Sequence, residues 1–200
     1  MTSLIPPSTA EHEAGAVLEE GHGDFRLFGL ALFLVADGMT FAGLFAAYLT
    51  FRAVNPLPEG GIYELELLLP TLNTVLLVSS SFTFHRAARQ LRLGEGAGCR
   101  RWLLITAALG AAFLASQMRE YFTLPFGLTS NLFASTFYVL TGFHGLHVFL
   151  GVMLILIVWW QARAGGSINS QQHFGLEAAE LYWHFVDGIW VVLYGIIYLL

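Results

Sequence analysis

Glu177-Ala178-Ala179-Glu180-Leu181-Tyr182-Trp183-His184-Phe185-Val186-Asp187-Gly188-Ile189-Trp190 opens an apolar run that continues to Leu200. Four ionisable side chains, Glu177, Glu180, His184 and Asp187, lie in a segment otherwise apolar enough to cross a bilayer. With Val191, Tyr194 and Tyr198 they are spaced 3, 4, 3, 4, 3, 4, so on a helix they form one stripe, with Leu, Ile and Val largely elsewhere. An acid at bilayer depth costs roughly 2.5–3.5 kcal/mol even on a lenient insertion scale, so the stripe is expected to face protein. The remaining helices must then supply partners, and the fold must be a helical bundle.

Composition agrees. The 200 residues are 56% hydrophobic and 12% charged, values of an integral membrane protein. There is no Lys, and five of the nine basic residues fall between Arg86 and Arg101. With a net charge of -5, a basic nucleic-acid surface is excluded. The lone Cys99 has no internal disulfide partner and no metal-binding spacing, and reads as a loop thiol.

Five spans are predicted, at approximately 27–51, 65–85, 102–118, 132–161 and 178–200. Residues 1–24 read as a disordered acidic tail with no basic-then-apolar signal pattern, and its His12 and His22 as solvated side chains. Span one carries Asp37 near mid-depth, read either as a protonated acid bonded within the bundle or as a group in contact with protons or lipid headgroups. Gly38, Ala42 and Ala46 form one small-residue seam and Ala107, Ala111 and Ala115 in span three another, both suited to close helix approach. The 30 residues of span four make about 45 Å of helix, which must tilt or protrude. The Arg-rich stretch 86–101 is assigned to the inside, which puts the N-terminus in the cytoplasm and the C-terminus outside. His85 reads as an interfacial side chain, and Arg163 with Trp159 as an inner-surface pair suited to an anionic lipid headgroup or to plain anchoring.

Two readings of the polar residues compete. His144, His147, His184, Glu180 and Asp187 have the nitrogen and oxygen atoms of a metal site. Glu180 and His184 are, however, one residue too far apart for the Glu-x-x-His pattern of bundle di-iron sites. The other reading is a polar network that fixes packing, in which Asp187 pairs with His144 or His147 at similar depth. No residue is assigned to catalysis, and no metal to the chain.

Ser135-Thr136-Phe137-Tyr138-Val139-Leu140-Thr141-Gly142-Phe143-His144-Gly145-Leu146-His147-Val148 and His173-Phe174-Gly175-Leu176-Glu177 through Asp187 resemble subunit III of the haem-copper oxidases, in the cytochrome c oxidase branch. Pro70 to Thr74, Gln117, Glu120, Tyr121, Tyr182, Trp183 and Trp190 extend the resemblance, which covers nearly everything after residue 25. It is similar to the short bacterial form with five helices. The resemblance implies a subunit without haem or copper of its own, those cofactors residing in partner subunits. Such a subunit packs against subunit I beside the mouth of a proton-uptake path, in company with subunit II, and holds structural phospholipid. It implies a complex that takes electrons from cytochrome c, reduces oxygen and translocates protons, in a bacterial cell membrane or a thylakoid-type internal membrane. Asp37 stands where larger relatives carry Glu after Ser, here Ala36-Asp37. The nearest rival is subunit III of a quinol oxidase, and a different class is an independent proton or solute carrier. The sequence shows none of the paired broken helices of inverted-repeat carriers.

Overall fold

The computed structural model describes residues 9–54, 67–163 and 174–200, with side chains from residue 25 onward. Five helices follow in order: α1 (Thr9–Val54), α2 (Leu68–Arg92), α3 (Gly96–Thr123), α4 (Leu132–Gln161) and α5 (Phe174–Tyr194), the last passing into a π-helical turn over Gly195–Leu199. Among the described residues there is no strand. Phe25–Val54, Gly96–Thr123, Leu132–Gln161 and Phe174–Leu199 are long and apolar enough to cross a membrane.

Helix α2, whose 25 residues reach about 37 Å, carries more Thr, Ser, Asn, His and Arg than any of these four. Its polar side chains turn toward neighbouring helices: Asn73 and Ser80 are buried, and Thr83 Oγ1 meets Thr106 Oγ1 of α3 at 2.8 Å.

Helix ends differ from the sequence expectation in an instructive way. The Arg-rich stretch 86–101 is not a loop. Helix α2 runs through Arg86, Arg89 and Arg92, and only Leu93–Glu95 separates it from α3. Gly94 takes φ +80°, a left-handed geometry open to glycine, and so permits the tight turn. Basic side chains in the last turn suit the negative end of a helix dipole, so the Arg residues favour continuing the helix past the hydrocarbon boundary. Arg86 lies over the Trp102 ring at 5.3 Å, and Arg100 Nη1 donates to Ala162 O at 3.4 Å, capping α4. Cys99 is therefore a buried helical thiol. At the other end of the chain, α1 begins at Thr9, well before the expected span, because Ala, Glu and Leu dominate residues 10–20 and are strong helix formers. The side chains of the tail, His12 and His22 among them, lie outside the described residues, as do residues 1–8, 55–66 and His173.

Helix α5 packs against α4, α2 and α1, and α2 also against α3. Helix α4 packs against α3, α5 and α1. It has no charged side chain, and Asn131 caps its start by accepting from the Ala134 backbone N–H at 2.7 Å. The expected small-residue seams are only partly used. Gly38 approaches the Phe185 ring and Ala107 is buried, but Ala42, Ala46, Ala111 and Ala115 are exposed. Close approach occurs instead at Gly110 of α3 and Gly151 of α4. Between them, Trp183 of α5 is fully buried.

Candidate functional site

Three polar seams hold the ionisable residues. The longest joins α2 to α5. Thr71 Oγ1 and Tyr194 Oη are 2.7 Å apart, Trp190 Nε1 donates to Thr74 Oγ1 at 3.0 Å, and Trp183 Nε1 donates to Ser80 Oγ at 2.9 Å. Ser81 donates to Asp187 Oδ2 and stands 3.0 Å from His184 Nδ1. His85 Nδ1 then meets Glu180 Oε1 at 3.2 Å, and His184 Nε2 lies 3.8 Å from the same oxygen. Residue numbers rise on α2 as they fall on α5, so the seam is an antiparallel ladder. The stripe read from α5 therefore lies beside α2, which provides partners for Glu180, His184, Asp187 and Tyr194, but His184 and Val191 on it are exposed. Glu177 sits half-buried in the first turn of α5.

This arrangement overturns the expected pairing of Asp187 with His144 or His147. Asp187 is on the side of α5 that meets α2, whereas both histidines project from α4 toward other neighbours. His147 Nε2 is 3.2 Å from Asp37 Oδ2 of α1, forming the second seam. The approach is that of an ion pair by distance, since Oδ2 makes no directional hydrogen bond. His147 Nδ1 is 2.8 Å from Phe143 O, a carbonyl that can only accept, so Nδ1 carries a proton, and a charged pair with Asp37 requires a second proton on Nε2. Tyr182 Oη donates to His147 O at 3.2 Å, tying α5 to the same turn.

His144 behaves differently although it is three residues away. It is completely buried, neither ring nitrogen has a hydrogen-bond partner, and its ring packs 5.1 Å from Trp190 and edge-on to Phe113 at 5.8 Å. It fills an aromatic slot rather than joining the polar network.

The third seam lies near the far end of α3. Tyr198 Oη donates to Glu120 Oε1 at 3.0 Å, and Gln117 Nε2 donates to Glu120 Oε2 at 3.2 Å. Tyr121 Oη and Thr141 Oγ1 are 2.7 Å apart. At the opposite end, the Arg163 guanidinium stacks 3.8 Å from the Trp160 ring and 4.8 Å from Trp159, placing a cation on two interfacial indoles.

Sequence reasoning missed the α2 half of the ladder. The signal was present: Thr71, Thr74, Val78, Ser81 and His85 are spaced 3, 4, 3, 4, the same rhythm as the α5 stripe. His85, the last residue of the expected span, contacts Glu180 and is part of the ladder, not a plain interfacial side chain.

Chemically, the seams offer hydrogen-bonded carboxyl, imidazole and hydroxyl groups. Among the described residues no group of three or more His, Cys, Asp or Glu is arranged to hold a metal ion. A multi-pass helical membrane protein whose ionisable groups answer to one another across helix seams is the class this geometry defines. Residues 16–200 match the sequence model of the family described as cytochrome c oxidase subunit III. The chain is 57% identical over 181 residues to cytochrome c oxidase subunit 3 of Synechocystis sp., covering 90% of this chain and 78% of that protein. It is 50% identical over 181 residues to the Thermostichus vulcanus protein of the same name, covering 90% and 89%. Against that of Dasypus novemcinctus it is 40% identical over 203 residues, covering 98% and 76%. The chain belongs to the cytochrome c oxidase subunit III family, and so to a subunit of an oxidoreductase complex in which other oxidase subunits are its partners.

Proposed function

We propose that this chain is the non-catalytic subunit III of a proton-pumping cytochrome c oxidase, set in the membrane against the subunit that carries haem and copper. Its work there is to support proton uptake and to retain structural phospholipid, not to transfer electrons. The observation that carries this reading is the inward resolution of its ionisable groups: Asp37 with His147, Asp187 with Ser81, Glu180 with His85, and Glu120 with Tyr198. Each of these four carboxyl groups has its partner on another helix of the same bundle.

The Arg-bearing α2–α3 turn is on the inside in this reading, which places the N-terminus in the cytoplasm and the C-terminus outside, with α2 as the fifth crossing helix. The named relatives from Synechocystis sp. and Thermostichus vulcanus favour a bacterial membrane, either the cell membrane or an internal thylakoid-type one.

The test is isolation of the intact complex through a tag on this chain, followed by a haem spectrum and identification of the partners. Co-isolation with a haem-bearing subunit I and a subunit II holding a dinuclear copper domain is the expected result. A complex without that copper domain moves the chain to the quinol branch. A proton flux through the chain alone in liposomes, abolished by Asp37→Asn, replaces the subunit reading with that of a carrier.

A further inference from the structure

The outer faces of the bundle are not alike. The outer side of α1 presents Phe28, Leu32, Phe33, Val35 and Met39, and that of α4 presents Val139, Leu146, Phe149 and Ile157. Both are fit for lipid acyl chains. The face shared by α2 and α5 also exposes aliphatic groups, Val78, Leu181 and Val191, but an imidazole stands among them. The His184 side chain is 42% exposed. It is level with Ser81, the partner of its Nδ1 nitrogen, and lies near the middle of the membrane-length stretch Phe174–Leu199.

At that depth a lipid tail offers His184 nothing. Hydrocarbon can neither donate nor accept a hydrogen bond, and ionisable side chains within membrane spans face protein or a water-filled cavity. The imidazole still has room for a hydrogen bond. Its Nε2 is at ion-pair distance from Glu180 Oε1, 3.8 Å, too long for a hydrogen bond, while its Nδ1 is committed to Ser81. Space is available one turn away, where a methyl group on Gly188 would meet no atom within 4 Å.

We propose that the outer face shared by α2 and α5 is where this chain docks a membrane-spanning helix of a neighbouring oxidase subunit. That helix brings a hydrogen-bonding side chain to the level of His184 and aliphatic side chains against Val78, Leu181 and Val191. The proposal rests on the reading of the chain as subunit III and adds to it which side of the bundle meets the partner. The ladder explains why the face can serve in this way. Its rungs fix the α2–α5 spacing before docking, so the partner meets a preformed surface and leaves one imidazole nitrogen to be satisfied.

The experiment is photocrosslinking in the intact complex within native membranes. Leu181 or Val191 is replaced by benzoylphenylalanine, with Val35 on α1 and Val139 on α4 as controls, and the products are purified through this chain and weighed by mass spectrometry. The expected result is a covalent adduct with a membrane subunit of the oxidase from positions 181 and 191, at several-fold higher yield than from 35 or 139. Adducts from 181 and 191 with lipid alone, or with a second copy of this chain, overturn the proposal. So does equal or higher protein crosslinking from the controls. If the adduct is with a membrane protein and no haem co-purifies, this side of the bundle remains a docking face and the subunit III reading is what fails.

Discussion

The indole of Trp183 is held from three sides, and the two glycines that admit it give a measurable test of how the bundle is locked. An Ala methyl at Gly110 would lie 2.6 Å from Trp183 Cη2 and 2.8 Å from Val152 Cγ2. One at Gly151 would lie 2.8 Å from both Cε3 and Cζ3 of the same ring. Ordinary carbon contacts are about 3.5–4.0 Å, so something must move. The ring has little freedom to do so, because its Nε1 is bonded to Ser80 and the side chain is fully buried. Overpacking of this kind costs about 1–3 kcal/mol. Replacing Gly by Ala within a helix returns roughly 0.8–1.0 kcal/mol. The net expectation for Gly110→Ala is a loss of up to about 2 kcal/mol, which lowers the folded-to-unfolded ratio by as much as about 30-fold. Gly145→Ala, on the same helix as Gly151 but with no atom within 4 Å, retains only the helical gain and serves as the control. The assay is unfolding of the purified chain by titration with dodecyl sulfate in mixed micelles, followed by tryptophan fluorescence. A Trp183→Phe background removes the part of the ring nearest Gly110, so the cost of Gly110→Ala should shrink by a coupling of about 0.5–3 kcal/mol. The reasoning is refuted if Gly110→Ala is as stable as Gly145→Ala, or if its cost is the same with Phe at position 183.

Ser81→Ala strips Asp187 Oδ2 of its hydroxyl donor and should lower stability by about 1–3 kcal/mol, whereas adding Asp187→Leu should restore part of the loss; the same titration checks both. The two histidines of the α4 motif should separate. His144→Phe changes stability by less than about 1.5 kcal/mol because the new ring is similar in shape and no hydrogen bond is lost. His147→Phe costs about 1–3 kcal/mol because Asp37 loses its partner and Phe143 O its donor, and equal losses from the two substitutions would reject the distinction. Arg163→Ala removes the cation from Trp159 and Trp160 and should reduce the anionic phospholipid that stays with the purified complex, as read by lipid mass spectrometry; unchanged lipid content assigns the group to simple anchoring.

The helical class and the bounds of α4 at 132–161 were legible because both depend on local apolar content, which sequence carries directly. The polar stripe of Glu180, His184 and Asp187 was legible for a related reason: spacing of three and four residues determines a helix face whatever lies opposite it. The identity of the partners was less accessible. Depth alone made His147 and Asp187 plausible companions, but depth does not specify azimuth. Asp187 points to α2 and His147 to α1, a distinction set by how three helices surround α5. Cys99 and the Arg residues from 86 to 101 were misplaced because charge was read as loop, when a three-residue turn between helices that outrun the hydrocarbon suffices. The glycine pair around Trp183 had no periodic signature at all. Gly110 and Gly151 belong to different helices and are related only through the side chain of a third.

The matching rhythm of α2 and α5 also accounts for the many hydroxyl side chains of α2. Spacings alternating between three and four average 3.5 residues, which keeps a stripe facing a nearly parallel or antiparallel neighbour over several turns instead of crossing it once. From Thr71 to His85 the α2 stripe therefore meets α5 at successive levels, from Tyr194 through Trp190 and Asp187 to Glu180. Each hydroxyl or imidazole of that stripe that would weigh against insertion is answered by a group on α5, and Leu72, Val75 and Phe82 remain exposed on other sides of α2. An averaged hydropathy sums these two populations and hides both. What determines whether such a helix lies in the membrane is the arrangement of its polar residues on one face and the presence of a complementary stripe on its neighbour. Breaking the register of either stripe by one residue would rotate the polar groups by about 100° toward lipid, at a cost no single rung can offset.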